Sequence, residues 1–99
     1  MNASVLLRHL GKFWKGYIDV KTDGKLVQIS QELLLSAVKS ATVAQGSYTS
    51  GVGSIIEVLN AQSELANARQ QHAQSLAGWN AARIRLAANI GAMEYQNID

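Results

Sequence analysis

An all-α fold is predicted, a long antiparallel helical hairpin of the coiled-coil type, on three observations. The 99-residue chain contains no proline, the residue that breaks helices most strongly. Its apolar residues recur at spacings of three and four over two long stretches. Between them lies Thr49-Ser50-Gly51-Val52-Gly53-Ser54, where signals that end one helix stand beside signals that start another. The expected organisation is a single helical-hairpin segment over residues 1–99, with a helix over about 13–49, a tip turn at 50–54 and a helix over about 55–90.

The turn follows from backbone chemistry. Glycine accepts the left-handed conformation that closes a helix, so Gly51 or Gly53 suits the position just past the first helix. Ser54-Ile55-Ile56-Glu57 then fits the capping box S-x-x-E. In that box Ser54 accepts from a first-turn amide and Glu57 reaches back to the cap amide. Such a cap contributes about 1 kcal/mol.

The second helix has the clearer pattern. Val58, Ala61, Leu65, Ala68, His72, Ser75, Trp79, Ala82 and Leu86 form one seam, with His72 and Ser75 as polar layers. The next seam position, Asn89, is polar. A flanking row, Ile55, Leu59, Ala66, Ala73, Leu76, Ala87 and Ile90, is expected to widen the stripe. Glu57 and Glu64 lie early and Arg83 and Arg85 late, as the helix dipole prefers. Gly91 is the expected terminator.

In the first helix Tyr17, Val20, Gly24, Val27, Leu34, Val38, Ala41 and Tyr48 fall on a heptad-like seam completed by Gln31 and Gln45. A β-hairpin competes over 17–29, where alternating β-formers flank Asp23-Gly24. The unbroken phase of the seam through Gly24 favours helix. Folding the stretches about Gly51-Val52 sets Tyr48 against Ile55, Val38 against Leu65, Val27 against Leu76 and Tyr17 against Leu86. Gly24 falls opposite Trp79, where the missing side chain leaves room for the indole. Met1–Gly11 and Ala92–Asp99 carry no firm signal and are expected to be irregular.

Composition narrows the function. The charged fraction is 16%, below the roughly 25% of soluble domains. The nine Lys and Arg residues are scattered along the chain instead of forming one basic stripe, which argues against nucleic-acid binding. With no cysteine, disulfides and thiolate metal sites are excluded. His9 and His72 lie far apart, and no Asp, Glu and His residues share metal-ligand spacing. Gly51-Val52-Gly53-Ser54 lacks the Gly-Lys-Ser/Thr of a phosphate loop. No enzyme, no metal and no cofactor are expected. No apolar run reaches the roughly 20 residues of a membrane span. Ser4-Val5-Leu6-Leu7 is too short for an export signal, so an exported protein would have its true start elsewhere.

The run Tyr48-Thr49-Ser50-Gly51-Val52-Gly53-Ser54-Ile55-Ile56-Glu57-Val58-Leu59-Asn60-Ala61-Gln62 resembles the periplasmic tip of TolC-family outer-membrane efflux proteins. Leu65, Ala68-Arg69, Trp79 through Ala87 and Ile90-Gly91 are similar to that family's return helix. Phe13-Trp14-Lys15-Gly16-Tyr17 resembles its descending helix more weakly. The resemblance covers about residues 13–91.

It implies a C-terminal, second-repeat hairpin, a fragment of a TolC-like α-barrel. Three protomers of the full-length protein would form a homotrimer, with a periplasmic α-helical tunnel below an outer-membrane β-barrel whose strands this segment lacks. A periplasmic adaptor protein would couple the channel to an inner-membrane pump for efflux or type I secretion. By position, Gly51, Val52, Gly53 and Ser54 would dock the adaptor, and Tyr48, Glu57 and Asn60 would sit at the entrance constriction. Ser47, Gly53 and Asn60 replace charged residues frequent in the family, so the same closing salt links are not expected. Asn60, Ser63, Asn67, Gln70, Gln71 and Gln74 would give a neutral hydrogen-bonding face, suited to a water-filled tunnel or to plain solvent. The alternatives are a stand-alone helical interaction module, such as a dimeric four-helix bundle, or an inactive truncated fragment.

Overall fold

The computed structural model describes residues 3–98, with side-chain surroundings for 3–92. Two helices, α1 (Ala3–Thr49) and α2 (Ile55–Ile98), lie antiparallel, and among the described residues there is no strand. The molecule measures 73 × 16 × 14 Å, the length expected for 47 helical residues at about 1.5 Å each. The expected helical hairpin is therefore what forms.

Both helices run further than expected. Ala3–Gly11 and residues 92–98 are helical, not irregular; Met1, Asn2 and Asp99 lie outside the described residues. Gly91 does not end α2. An interior glycine costs a helix only about 1 kcal/mol, and among the described residues Gly51 alone takes the left-handed conformation of a glycine cap. Residues 17–29 are helix throughout, so the β-hairpin is excluded.

The α2 seam is where the sequence places it. Val58, Ala61, Leu65, Ala68 and Ala82 are buried, and His72, Ser75, Trp79 and Leu86 are half-buried. Asn89 extends the half-buried row by one further position. The flanking row does not join the core: Ile55, Leu59, Ala66, Ala73, Leu76, Ala87 and Ile90 are exposed. One opposing helix covers only the narrow a/d stripe of a coiled coil.

The α1 seam is partly corrected. Val20, Gly24, Val27, Leu34 and Ala41 face the partner as expected. At the alternate positions the smaller neighbour takes the seam: Gly16 instead of Tyr17, Ser30 instead of Gln31, Ala37 instead of Val38, Ala44 instead of Gln45 and Ser47 instead of Tyr48. The cause is steric. Large residues on α2 need small ones opposite if the axes are to approach closely. A Cβ added at Gly16 would lie 2.9 Å from Leu86 Cδ1, so Gly16, not Tyr17, receives Leu86. Ala41, Ala61 and Leu65 form the core cluster, with Leu34, Ala37 and Ala44 against it. The pairs built on Tyr17, Val38 and Tyr48 are therefore displaced by one residue, and these three side chains are exposed.

The expected meeting of Gly24 and Trp79 is present. A Cβ on Gly24 would lie 3.3 Å from Trp79 Nε1. Six residues further along α1 and seven earlier on α2, Ser30 and His72 form a polar layer, with Oγ 3.1 Å from Nδ1. The Ser30 hydroxyl spends its one hydrogen on the Val27 carbonyl, 2.9 Å away. His72 Nδ1–H must therefore donate to Ser30 Oγ, which fixes the tautomer. The buried Ser30 and the half-buried imidazole are thereby both satisfied, and such a layer penalises slippage of one helix along the other. The index sums of Gly16–Leu86, Gly24–Trp79 and Ser30–His72 are 102 or 103, so the helices keep one register about Gly51.

This register predicts opposite outcomes at two glycines. Gly24→Leu drives the added atoms into the indole and lowers stability by about 1–2 kcal/mol after the gain in helix propensity. Gly78, where an added Cβ would meet nothing within 4 Å, gains about 1 kcal/mol as Gly78→Ala. Urea unfolding of the two variants checks both signs.

Candidate functional site

The tip is built by a C-terminal cap of defined geometry. The first helix ends at Thr49, and Gly51 takes φ +87°. Gly51 N–H donates to the Tyr48 carbonyl at 3.1 Å and Val52 N–H to the Ser47 carbonyl at 3.0 Å. These two bonds are a Schellman motif with Gly51 at the left-handed position. Gly53 N–H shares the Ser47 carbonyl at 2.9 Å. An added Cβ at Gly53 would come within 2.8 Å of Ser47 Cβ and 3.1 Å of the Ser47 carbonyl carbon. The two glycines thus have separate roles: Gly51 supplies the turn angle, and Gly53 lets the returning chain lie on the last turn of α1.

Only half of the expected capping box forms. Ser54 Oγ accepts from the Glu57 amide at 3.3 Å, while no side-chain bond returns from Glu57. The hydroxyls of Thr49 and Ser50 turn back to the Gln45 and Ser47 carbonyls, at 2.8 and 3.0 Å. These two hydroxyls are thus committed inward, and apolar side chains stand exposed at the apex. Val52 at the apex is 83% exposed. Ile55, Ile56, Leu59 and Tyr48 are exposed beside it.

Of the residues expected to act together, Gly51, Val52, Gly53 and Ser54 form the continuous turn. Tyr48, Glu57 and Asn60 are all exposed, and no hydrogen bond or ion pair joins them within the chain. Glu57 and Asn60 lie one heptad before Glu64 and Asn67. Those two line a groove with Leu33, Ser40 and Gln71, so the polar row continues to the tip. Of the neutral residues, Asn67, Gln71 and Gln74 line grooves on this side, whereas Ser63 and Gln70 fall on the back of α2 by heptad position.

The sequence did not expose the features of the open end. There Trp14 and Tyr17 stack at 6.1 Å between centroids. The guanidinium of Arg83 lies 4.8 Å above the Trp79 ring. A seven-residue count from Gly16 instead of Tyr17 would have placed both aromatics outside the seam. Among the described residues no His, Cys, Asp and Glu group is arranged to hold a metal ion, and no helix is long and apolar enough to cross a membrane.

The family model described as outer membrane efflux protein matches residues 5–92. No curated protein and no solved structure matches the chain.

The two glycines predict a graded loss at the tip. Gly51→Ala forces a Cβ into left-handed backbone and costs about 1–2 kcal/mol; Gly51→Asn, which tolerates that region, costs less. Gly53→Ala costs about 1–3 kcal/mol because its methyl meets backbone atoms of the previous turn. Thermal unfolding followed by circular dichroism ranks the three.

Proposed function

The chain belongs to the family of outer membrane efflux proteins, and on that premise we propose that its hairpin is the adaptor-docking end of a channel's periplasmic tunnel. Members of the family are channels, not enzymes. In this reading the hairpin is the C-terminal one of the second repeat. Three protomers form a homotrimer whose tunnel connects an outer-membrane barrel to a periplasmic adaptor and an inner-membrane pump. The system serves efflux or type I secretion.

The observation that carries this reading is the tip. Gly51, Val52, Gly53 and Ser54 present an 83%-exposed valine on a turn held by three backbone hydrogen bonds to Tyr48 and Ser47. An exposed apolar residue on a rigid turn is pre-organised to enter a groove on a partner. Tyr48, Glu57 and Asn60, exposed just behind the apex, are the proposed entrance-constriction residues.

The body of the rod supports the same reading. The chain exposes 7322 Å², against roughly 5,500 Å² for a compact monomer of this mass. Its radius of gyration is 21.8 Å, against about 13 Å for a compact domain. Leu26, Ile29, Leu33, Leu35 and Val38 are among the exposed apolar residues along its length. Such a rod suits a wall in which neighbouring helices cover its flanks. The exposed amides of Asn67, Gln71 and Gln74 offer water-compatible contacts without charge.

The test uses the full-length trimeric channel that contains this hairpin. Val52→Asp places a charge where an apolar groove is to close. It is expected to weaken adaptor capture by tenfold or more, about 1.4 kcal/mol, and to abolish export while trimers still reach the outer membrane. Adaptor capture and export at the unsubstituted level would overturn the docking assignment.

A further inference from the structure

We propose that residues 3–18, the opening turns of α1, bind the surface of an anionic phospholipid bilayer as an amphipathic helix lying in the headgroup layer. This concerns the end of the rod away from the tip and does not rest on the channel role.

The segment has two opposed faces. At about 100° per residue, Leu6, Leu7, Leu10, Trp14, Tyr17 and Ile18 fall within an arc of about 120°. All six are exposed. Arg8, Lys12 and Lys15 fall within about 60° of one another on the opposite side. No acid stands among residues 1–18; the first is Asp19. The three cations form no ion pair with a described residue. An exposed apolar arc backed by cations alone is the pattern of a helix that lies on an anionic membrane.

The partner helix leaves this arc open. Val5, His9, Gly16 and Val20 are half-buried, and Leu86 of α2 packs on Gly16. The side that meets α2 therefore lies beside the apolar arc, not under it. Leu7 and Trp14, 68% and 64% exposed, point away from α2. The second helix enlarges the same surface, because its exposed Ile84 and Ile90 share a groove with Val20.

The aromatic residues and the charge select the occupant. Three of the six aromatic residues of the chain, Phe13, Trp14 and Tyr17, stand within five positions. Trp14 and Tyr17 stack at 6.1 Å between centroids. Each joins an apolar ring to one polar group, and such side chains favour the boundary between acyl chains and headgroups. Lys12 and Lys15 can hold their ammonium groups among lipid phosphates while their stems lie along the apolar surface. Anionic lipid thus supplies the counter-charge that the segment lacks. The same segment of a second copy would bring apolar area but no acid. No described helix is long and apolar enough to cross a membrane, so the contact is with the surface.

Flotation of the 99-residue chain with vesicles tests this, using phosphatidylcholine with and without about 30% phosphatidylglycerol. The chain is expected to float with the anionic vesicles and to bind the neutral ones at least tenfold more weakly. The triple variant Arg8→Gln, Lys12→Gln and Lys15→Gln should lose that difference. Leu7→Gln with Trp14→Gln, which leaves the charge unchanged, should weaken binding to anionic vesicles by roughly tenfold or more. Circular dichroism should show both variants as helical as the unsubstituted chain, since every substituted side chain is exposed. Val52→Asp, at the other end, should float like the unsubstituted chain. Absence of flotation, equal binding to both vesicles, full binding by the Leu7→Gln with Trp14→Gln variant, or loss of binding in Val52→Asp would each overturn the proposal. So would self-association in lipid-free buffer that the Leu7→Gln with Trp14→Gln variant abolishes, without flotation, which would assign the face to a second copy.

Discussion

The close approach of two helices along a seam of small residues is the constraint on which the rest of this molecule depends. Gly16 lies against Leu86, Gly24 against Trp79 and Ser30 against His72. Bulk on α2 is thus met by absence of bulk on α1. The same register sets Val20 level with Ala82 and Leu34 with Ala68, so size alternates in both directions. A one-residue slip would set large against large, and a heptad slip would separate Ser30 from His72. The register is specified by shape, with one polar layer as a check.

That seam has a consequence for everything outside it. Small residues bury little apolar area each, and of the six buried apolar residues among those described four are alanine. At about 25 cal/mol per Å², such a core contributes little for a chain of this length. The larger apolar side chains are displaced to the flanks and the tip, where the pair has nothing to cover them. The features that keep the rod thin therefore also make its outer surface adhesive. Stability and assembly are coupled, as expected of a component whose neighbours complete its burial.

Much of this was legible in the sequence, for identifiable reasons. The reversal at Gly51 was readable because a left-handed cap requires glycine and a serine cap followed at once. The α2 seam was readable because its bulky members, Val58, Leu65, Trp79 and Leu86, are themselves buried or half-buried against α1. On α1 the same logic chose Tyr17, Val38 and Tyr48 over Gly16, Ala37 and Ser47. Apolar size is a poor guide where the partner supplies the volume. Gly24 was placed correctly because the indole opposite supplied a reason for a glycine to be there. The helical ends were not legible, since a helix extended by its neighbour's packing needs no local signal.

Nuclear Overhauser contacts of the Trp79 indole test the central claim most directly. The register places the Trp79 Nε1 proton against the Gly24 α-protons, and a strong cross-peak between them is expected in the folded chain. Cross-peaks from that proton to residues one heptad away, Tyr17 or Gln31, with none to Gly24, would show a different register and contradict the account.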